Sequence, residues 1–272
     1  MLNHYLQERA YKGTSIKEVE NSFREISKII DDSYPEEFFC MNSSFMMARI
    51  NKRNTLSNLL YGEKSQFDKD LLYRVVPSVL AHFNTSYGPY STIGDFKKAV
   101  QIGKEHYFLG ARFKNKLDHE IETHAEYLQK RTDCLKDSLT SRNCATILPK
   151  LISKVQLTQN GYEMLAKSSS VKSVCSELIT LDKYATTVWH SGRFSIDEVR
   201  GMGIDISDES TSVHEKPKLK AYRLFRINEA IGSRYCFLHL KIGVIRVYIY
   251  PDDNERKIYV PYIGRHLPTQ LY

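Results

Sequence analysis

No two cysteines in this 272-residue chain stand at C-x-x-C spacing, and the five present (Cys40, Cys134, Cys144, Cys175, Cys236) are odd in number. That pattern fits reduced, buried thiols of a cytoplasmic protein rather than a disulfide framework. No apolar run approaches the roughly 20 residues that span a bilayer, so no membrane partner is expected. The opening MLNHYLQERAYKG lacks the apolar core of a signal peptide. Internal repeats and low-complexity tracts are also missing. No set of His, Cys, Asp and Glu has convincing ligand spacing, so neither a metal nor another cofactor is expected. What remains is ordinary for a folded protein, with 42% hydrophobic and 26% charged residues.

Charge is where the chain departs from the ordinary. The formal net charge is +7, and residues 218–272 carry +6 of it, from ten Lys/Arg against four Asp/Glu. Nine Tyr and Phe fall in the same stretch. A basic, aromatic-rich segment suits an acidic polymer, so RNA or DNA is the expected partner.

Upstream, the patterning is helical. Ser15 and Glu18 form an S-x-x-E capping box, and Phe23, Ile26, Ile29 and Ile30 recur at helical spacing, which predicts a helix over 16–32. Residues 1–14 read as polar and loose, and 35–50 as a core segment. A helix is expected over 68–83 with a kink or break at Pro77, then a loop over 84–95. A long helix is predicted over 105–138, with Leu117, Ile121, His124, Leu128 and Leu135 along one stripe. Further helices are expected near 145–156, 159–167 and 171–190, with Trp189 as a core anchor. Residues 197–215 hold six acids and one Arg and read as a linker that could fold back on the basic segment.

From residue 218 the period changes to two. Strands are predicted over 219–227, 233–242, 244–250 and 257–263, in one antiparallel sheet. The fold class expected is therefore α+β, with a helical body over 1–196, a linker over 197–217 and a β-module over 218–272. On the third strand, Ile245, Val247 and Ile249 face one way and Arg246, Tyr248 and Tyr250 the other. Arg223, Arg226, Arg234 and Arg265 could converge with His266 on that second face. Arginine forks bind phosphate, and Tyr or Arg planes stack on unpaired bases.

The segment SRYCFLHL followed by VIRVYIYPDDNERKIYVPYIGRH resembles the end of RelE/ParE-like bacterial toxins, over about 50 residues. Shared features are an Arg-containing strand, an acidic turn and a closing strand with a basic G-R-H tail. The resemblance implies either metal-free cleavage of mRNA or, for the ParE type, inhibition of gyrase. For cleavage it implies His266, Tyr262, Arg246 and Arg234 as the catalytic candidates. A histidine can exchange a proton near neutral pH, and an arginine can neutralise the charge that builds on phosphorus.

Competing patterns are weaker. Pro251, Asp252, Glu255 and Lys257 carry the letters of a PD…(D/E)xK nuclease but lie within one turn. His119 and His124 are five apart, one too many for a shared zinc on a helix. Arg112 with His119 matches the loose R-x(4–6)-H motif of HEPN ribonucleases. Arg49, Lys52 and Arg53 form a second basic patch that could meet phosphate. The combined expectation is a toxin-like or defence-like bacterial protein acting on nucleic acid. The alternatives are a nucleic-acid-binding or regulatory protein without catalysis, and an interaction subunit. A homodimer through the helical body and an inhibitory partner protein are the assemblies this reading allows.

Overall fold

A computed structural model describes residues 2–33, 35–63, 65–86, 90, 92–103 and 105–269. The chain divides into two units, Met1–Cys134 and Leu135–Tyr272. The expected division at a 197–217 linker is not where the chain divides.

The first unit is built on parallel strands. Its elements run β1 (Asn3–Leu6), α1 (Ile16–Ser33), β2 (Phe38–Met41), α2 (Leu56–Tyr61), α3 (Val76–Ala81), α4 (Ile93–Ile102), β3 (His106–Leu109), β4 (Glu120–Ile121) and α5 (His124–Ser138), within which the division falls. The four strands pair in the order β2-β1-β3-β4, all parallel. The capping box forms as predicted. Ser15 N donates to Glu18 Oε2 at 2.6 Å, and Glu18 N donates to Ser15 Oγ at 3.3 Å. From there α1 buries Val19, Phe23, Ile26, Ile29 and Ile30 in the core around the sheet.

Three expectations change in this unit. Residues 3–6 are not loose but form β1, with Tyr5 and Leu6 buried. The predicted helix over 105–138 is two strands, β3 and β4, followed by the shorter α5. Parallel pairing of β3 with β1, about a hundred residues away in sequence, overrides a local pattern that could not register it. The stripe dissolves accordingly: Ile121 is buried in β4, while Leu117 and Leu128 are exposed. At Pro77 the helix does change character. A π-helical turn, Leu71–Val75, precedes α3, and the proline occupies the first turn, where its missing N–H costs least. Of the expected 84–95 loop, residues 87–89 and 91 lie outside the described residues.

The second unit contains α6 (Cys144–Ile147), β5 (Val155–Leu157), α7 (Gln159–Lys167), α8 (Val171–Thr187), α9 (Ile196–Gly201), β6 (Ile206–Ser207), α10 (Thr211–Glu215), α11 (Pro217–Ala221), β7 (Leu224–Asn228), β8 (Gly232–Tyr235), β9 (Leu238–Ile242), β10 (Ile245–Asp252) and β11 (Lys257–Arg265). Its main sheet has the order β5-β11-β10-β9-β6. Strand β5 runs parallel to β11, and the other pairs are antiparallel. Gly243, at φ +56°, takes the first turn position between β9 and β10, where a two-residue hairpin needs a left-handed residue. Strands β7 and β8 form a separate two-stranded sheet.

The α+β expectation holds only at its coarsest, as a mixture of helix and sheet. Strands are not confined to the C-terminus, and the first sheet is parallel. The predicted four-stranded C-terminal sheet is split between the hairpin and the main sheet. Residues 219–221 are helical, and part of the expected 145–156 helix is β5. The acidic stretch is no linker. It supplies α9, α10 and the edge strand β6, which pairs with β9. Trp189 is buried against Tyr184 and Phe194, as an anchor of this core. Among the described residues no helix is long and apolar enough to cross a membrane.

Candidate nucleic-acid interface

Strand β10 explains why the second unit does not present the face that alternation suggests. Ile245, Val247 and Ile249 pack into the main core, as expected. The opposite face is covered as well, because the β7–β8 hairpin folds over it. Ile227 and Cys236 join Tyr248 and Tyr259 in a second cluster, with Phe225 packed beside them. Tyr248 is therefore 0% exposed and cannot contact a nucleic acid.

Arg223 is the second correction. It precedes β7, is 0% exposed and forms a buried ion pair with Glu209. Its Nε and Nη2 donate to Glu209 Oε1 at 3.0 and 2.7 Å. Its Nη1 donates to the carbonyls of Leu219 and Pro268 at 3.1 and 2.6 Å, and Nη2 reaches Leu267 O at 3.3 Å. Tyr248 completes the set by donating to Glu209 Oε1 at 2.6 Å. Burial, and then the neighbouring carboxylate, push the Tyr248 phenol far above its ordinary range, so it stays a hydrogen-bond donor. Arg223 thus stitches the acidic stretch, α11 and the C-terminal tail together. It is a structural residue.

Above this buried pair lies a cleft of about 590 Å³, lined by Asp208, Glu209, His239, Lys241, His266 and neighbouring serines. Two histidines meet there, with ring centroids 5.4 Å apart and nearly perpendicular planes. His239 extends from β9 and is 3% exposed. Burial lowers its pKa, partly opposed by Glu209, so its ring is neutral at pH 7. Its Nδ1 lies 3.5 Å from Phe237 O, and His266 Nδ1 lies 2.7 Å from Leu267 O. With each Nδ1 donating to its carbonyl, both Nε2 atoms keep a lone pair when the rings are neutral. Asp208 is occupied by His214 at 3.1 Å, and Lys241 lies 3.9 Å from Asp205. His239 and Glu209 escape a sequence reading because nothing local in HLKI or in the acidic stretch shows that they converge.

The other candidates are not among the residues that line this cleft. Arg246 pairs across the sheet with Lys241 and Gly264, and its Nη1 donates to the carbonyls of Gly243 and Ile245. Tyr262 donates to Arg265 O at 3.0 Å and packs edge-on to Tyr248. Tyr250 is half-buried and stacks on Tyr259. Arg234 is not on the sheet that carries His266. It sits on β8, exposed, with its guanidinium on Ser233 O. Arg226 on β7 and Arg265 at the end of β11 are also exposed. None of Arg226, Arg234, Arg246 and Arg265 forms an ion pair among the described residues. Beside Arg234, Tyr235 stacks parallel on Phe237 at 5.8 Å, with Lys220 Nζ 4.6 Å above the Tyr235 ring. Exposed cations interleaved with a stacked aromatic pair are what an unpaired base and its phosphate can use.

The weaker patterns resolve locally. Asp252 Oδ1 accepts from Asn254 N and Glu255 N, and Glu255 pairs with Lys257, so the PD…ExK letters are a turn. His124 bonds Asp32 while His119 packs on Phe108, and Arg112 bonds Glu18. Among the described residues, no group of three or more His, Cys, Asp or Glu could hold a metal ion. Comparisons of the chain with protein-family models, with curated proteins and with solved structures return no match.

Proposed function

We propose that the second unit acts on nucleic acid as a metal-independent endoribonuclease, in a toxin-like or defence-like role. The observation that carries this reading is the His239–His266 pair in a cleft that Lys241 also lines. RNA supplies its own nucleophile, the 2′-hydroxyl. Neutral His239 can accept that proton through Nε2 as the 2′-oxygen attacks phosphorus. His266 can give a proton to the departing 5′-oxygen. The products are a 2′,3′-cyclic phosphate and a 5′-hydroxyl, and no water or further reactant is consumed. Lys241 in the lining, with Arg265 beside His266 in the chain, can balance charge on the phosphate. The basic tail of RelE/ParE-like toxins supports the same reading.

A second reading, binding without cleavage, is favoured by the burial of His239, which offers a substrate little ring surface. Incubating the full chain with labelled single-stranded RNA and duplex DNA in EDTA separates the two. Cleavage of RNA alone, leaving cyclic phosphate ends, is the expected outcome. His266→Ala and His239→Gln should each slow it by about 10²–10⁴-fold. Retarded but intact RNA would establish the binding reading instead. Cleavage that survives both substitutions would place the chemistry elsewhere.

A further inference from the structure

The first unit holds a larger cleft, of about 910 Å³. It lies where the parallel sheet changes direction. From β1 the chain moves to β2 on one side, and β3 lies on the other. The segments leaving the C-terminal ends of β1 and β3 lie side by side at this point and form one wall of the crevice. Such switch points are where open parallel sheets bind ligands. Residues 7–13 and 110–115 are those two segments, and both line the cleft.

Its walls are strongly cationic. Arg9 and Lys12 follow β1, Arg112 and Lys114 follow β3, and Arg49 and Lys52 reach in from the segment before α2. Glu120 is the carboxylate on the lining, and Arg9 Nη2 already neutralises it at 2.7 Å. Arg112 is engaged by Glu18 at 3.0 Å. Lys12, Arg49, Lys52 and Lys114 form no ion pair among the described residues. Holding so many exposed cations together is unfavourable unless an anion joins them.

The segments are also held in place. Arg112 N donates to Ala10 O at 3.1 Å, Gly13 N to Ile50 O at 2.7 Å, and Arg112 Nη2 to Gly13 O at 3.2 Å. A Cβ at Gly110 would collide with Ala10, so the two strand ends can approach this closely only with glycine there. Gly13 and Asn115, at φ +76° and +52°, turn the backbone at the lining. Ile50, Phe113 and Leu117 give it an apolar part, and Leu117 is 52% exposed.

We propose that this cleft binds a nucleoside di- or triphosphate. The phosphates meet Arg49, Lys52 and Lys114, and the base lies against the apolar part. The volume is that of a small-molecule site, and the mixture of cations with an apolar wall matches a nucleotide better than a bare anion. The proposal is independent of the endoribonuclease reading, which concerns the second unit.

Calorimetric titration of the full chain at low salt with ATP, GTP and tripolyphosphate tests it. Saturable one-to-one binding of at least one nucleotide is expected, at least about tenfold tighter than tripolyphosphate. The triple variant Arg49→Gln/Lys52→Gln/Lys114→Gln should lose at least about tenfold in affinity, since each replaced cation removes a charge-assisted contact. All three side chains are exposed, so its melting temperature should match that of the parent. The variant Arg226→Gln/Arg234→Gln/Arg265→Gln, altered in the second unit, should bind nucleotide as the parent does. The proposal is overturned by absence of saturable binding at millimolar nucleotide, or by affinity unchanged in the first triple variant. Loss of nucleotide affinity in the second variant, or tripolyphosphate binding as tightly as both nucleotides, would overturn it too.

Discussion

Glu209 Oε1 takes two bonds from Arg223 and one from Tyr248, and all three residues are buried. A charge held this way cannot be neutralised to unmask a binding surface, because its partner would be left buried and unpaired. The neighbouring His239 is in the opposite situation, since burial disfavours its charged form and lowers its pKa. The unfolded chain therefore takes up that proton first. The stabilising contribution is complete above the unfolded histidine value of about 6.5 and is lost as pH falls below it. His106 in the first unit has the same sign, again chiefly from burial. Denaturant unfolding is expected to show stability falling between about pH 6.5 and 5, before carboxylates titrate. His239→Gln should flatten that slope, and an unchanged slope would refute the assignment.

At the scale of elements, short strands are fixed by what they pair with. Strand β5 is three residues long, and its start is set by Asp182 of α8. The Asp182 Oδ1 accepts from the backbone N–H of Ser153, Lys154 and Val155 at 2.8, 2.6 and 2.8 Å. Asp182→Ala should cost about 2–3 kcal/mol by chemical denaturation, because three donors lose their acceptor. Asp182→Asn, which keeps one oxygen, should cost less. Equal, negligible losses would show that water replaces the carboxylate freely. Helices such as α1 and α7 were legible in the sequence because capping and periodicity are contained within each segment. Strands β1, β3, β5 and β6 were not, because four or fewer residues carry no periodicity and their partners are distant. Of the candidate site, the exposed Arg226, Arg234 and Arg265 were legible as charge. The burial of Tyr248 was not, since the β7–β8 hairpin that covers it looks in sequence like two more strands of the same sheet, and neither was that of Arg223, whose partner Glu209 lies in a stretch that reads as a linker.

At the scale of the molecule, charge is unevenly used. Arg223 among the C-terminal cations is structural, while the exposed Arg226, Arg234 and Arg265 form no ion pair among the described residues. In RNA binding by the full chain, log affinity should fall linearly with log salt. Replacing Arg226, Arg234 and Arg265 by Gln should reduce that slope by about 2, at roughly 0.7 per single-strand phosphate contact. An unchanged slope would mean that these arginines meet no phosphate.

The sequence by itself determined the quantities that add up residue by residue. These are the net charge and its C-terminal concentration, the capped amphipathic helices, the period-two strands β9 to β11, and the turn at 251–257. Tertiary structure alone decided the quantities that depend on distant pairs. It buried Arg223 on Glu209, brought His239 to His266, and made the opening residues a central strand. It also gathered Arg9, Arg49 and Arg112 around one crevice. Such pairings are set by backbone hydrogen bonds and by exclusion of water between segments far apart in the chain, and no local pattern records them.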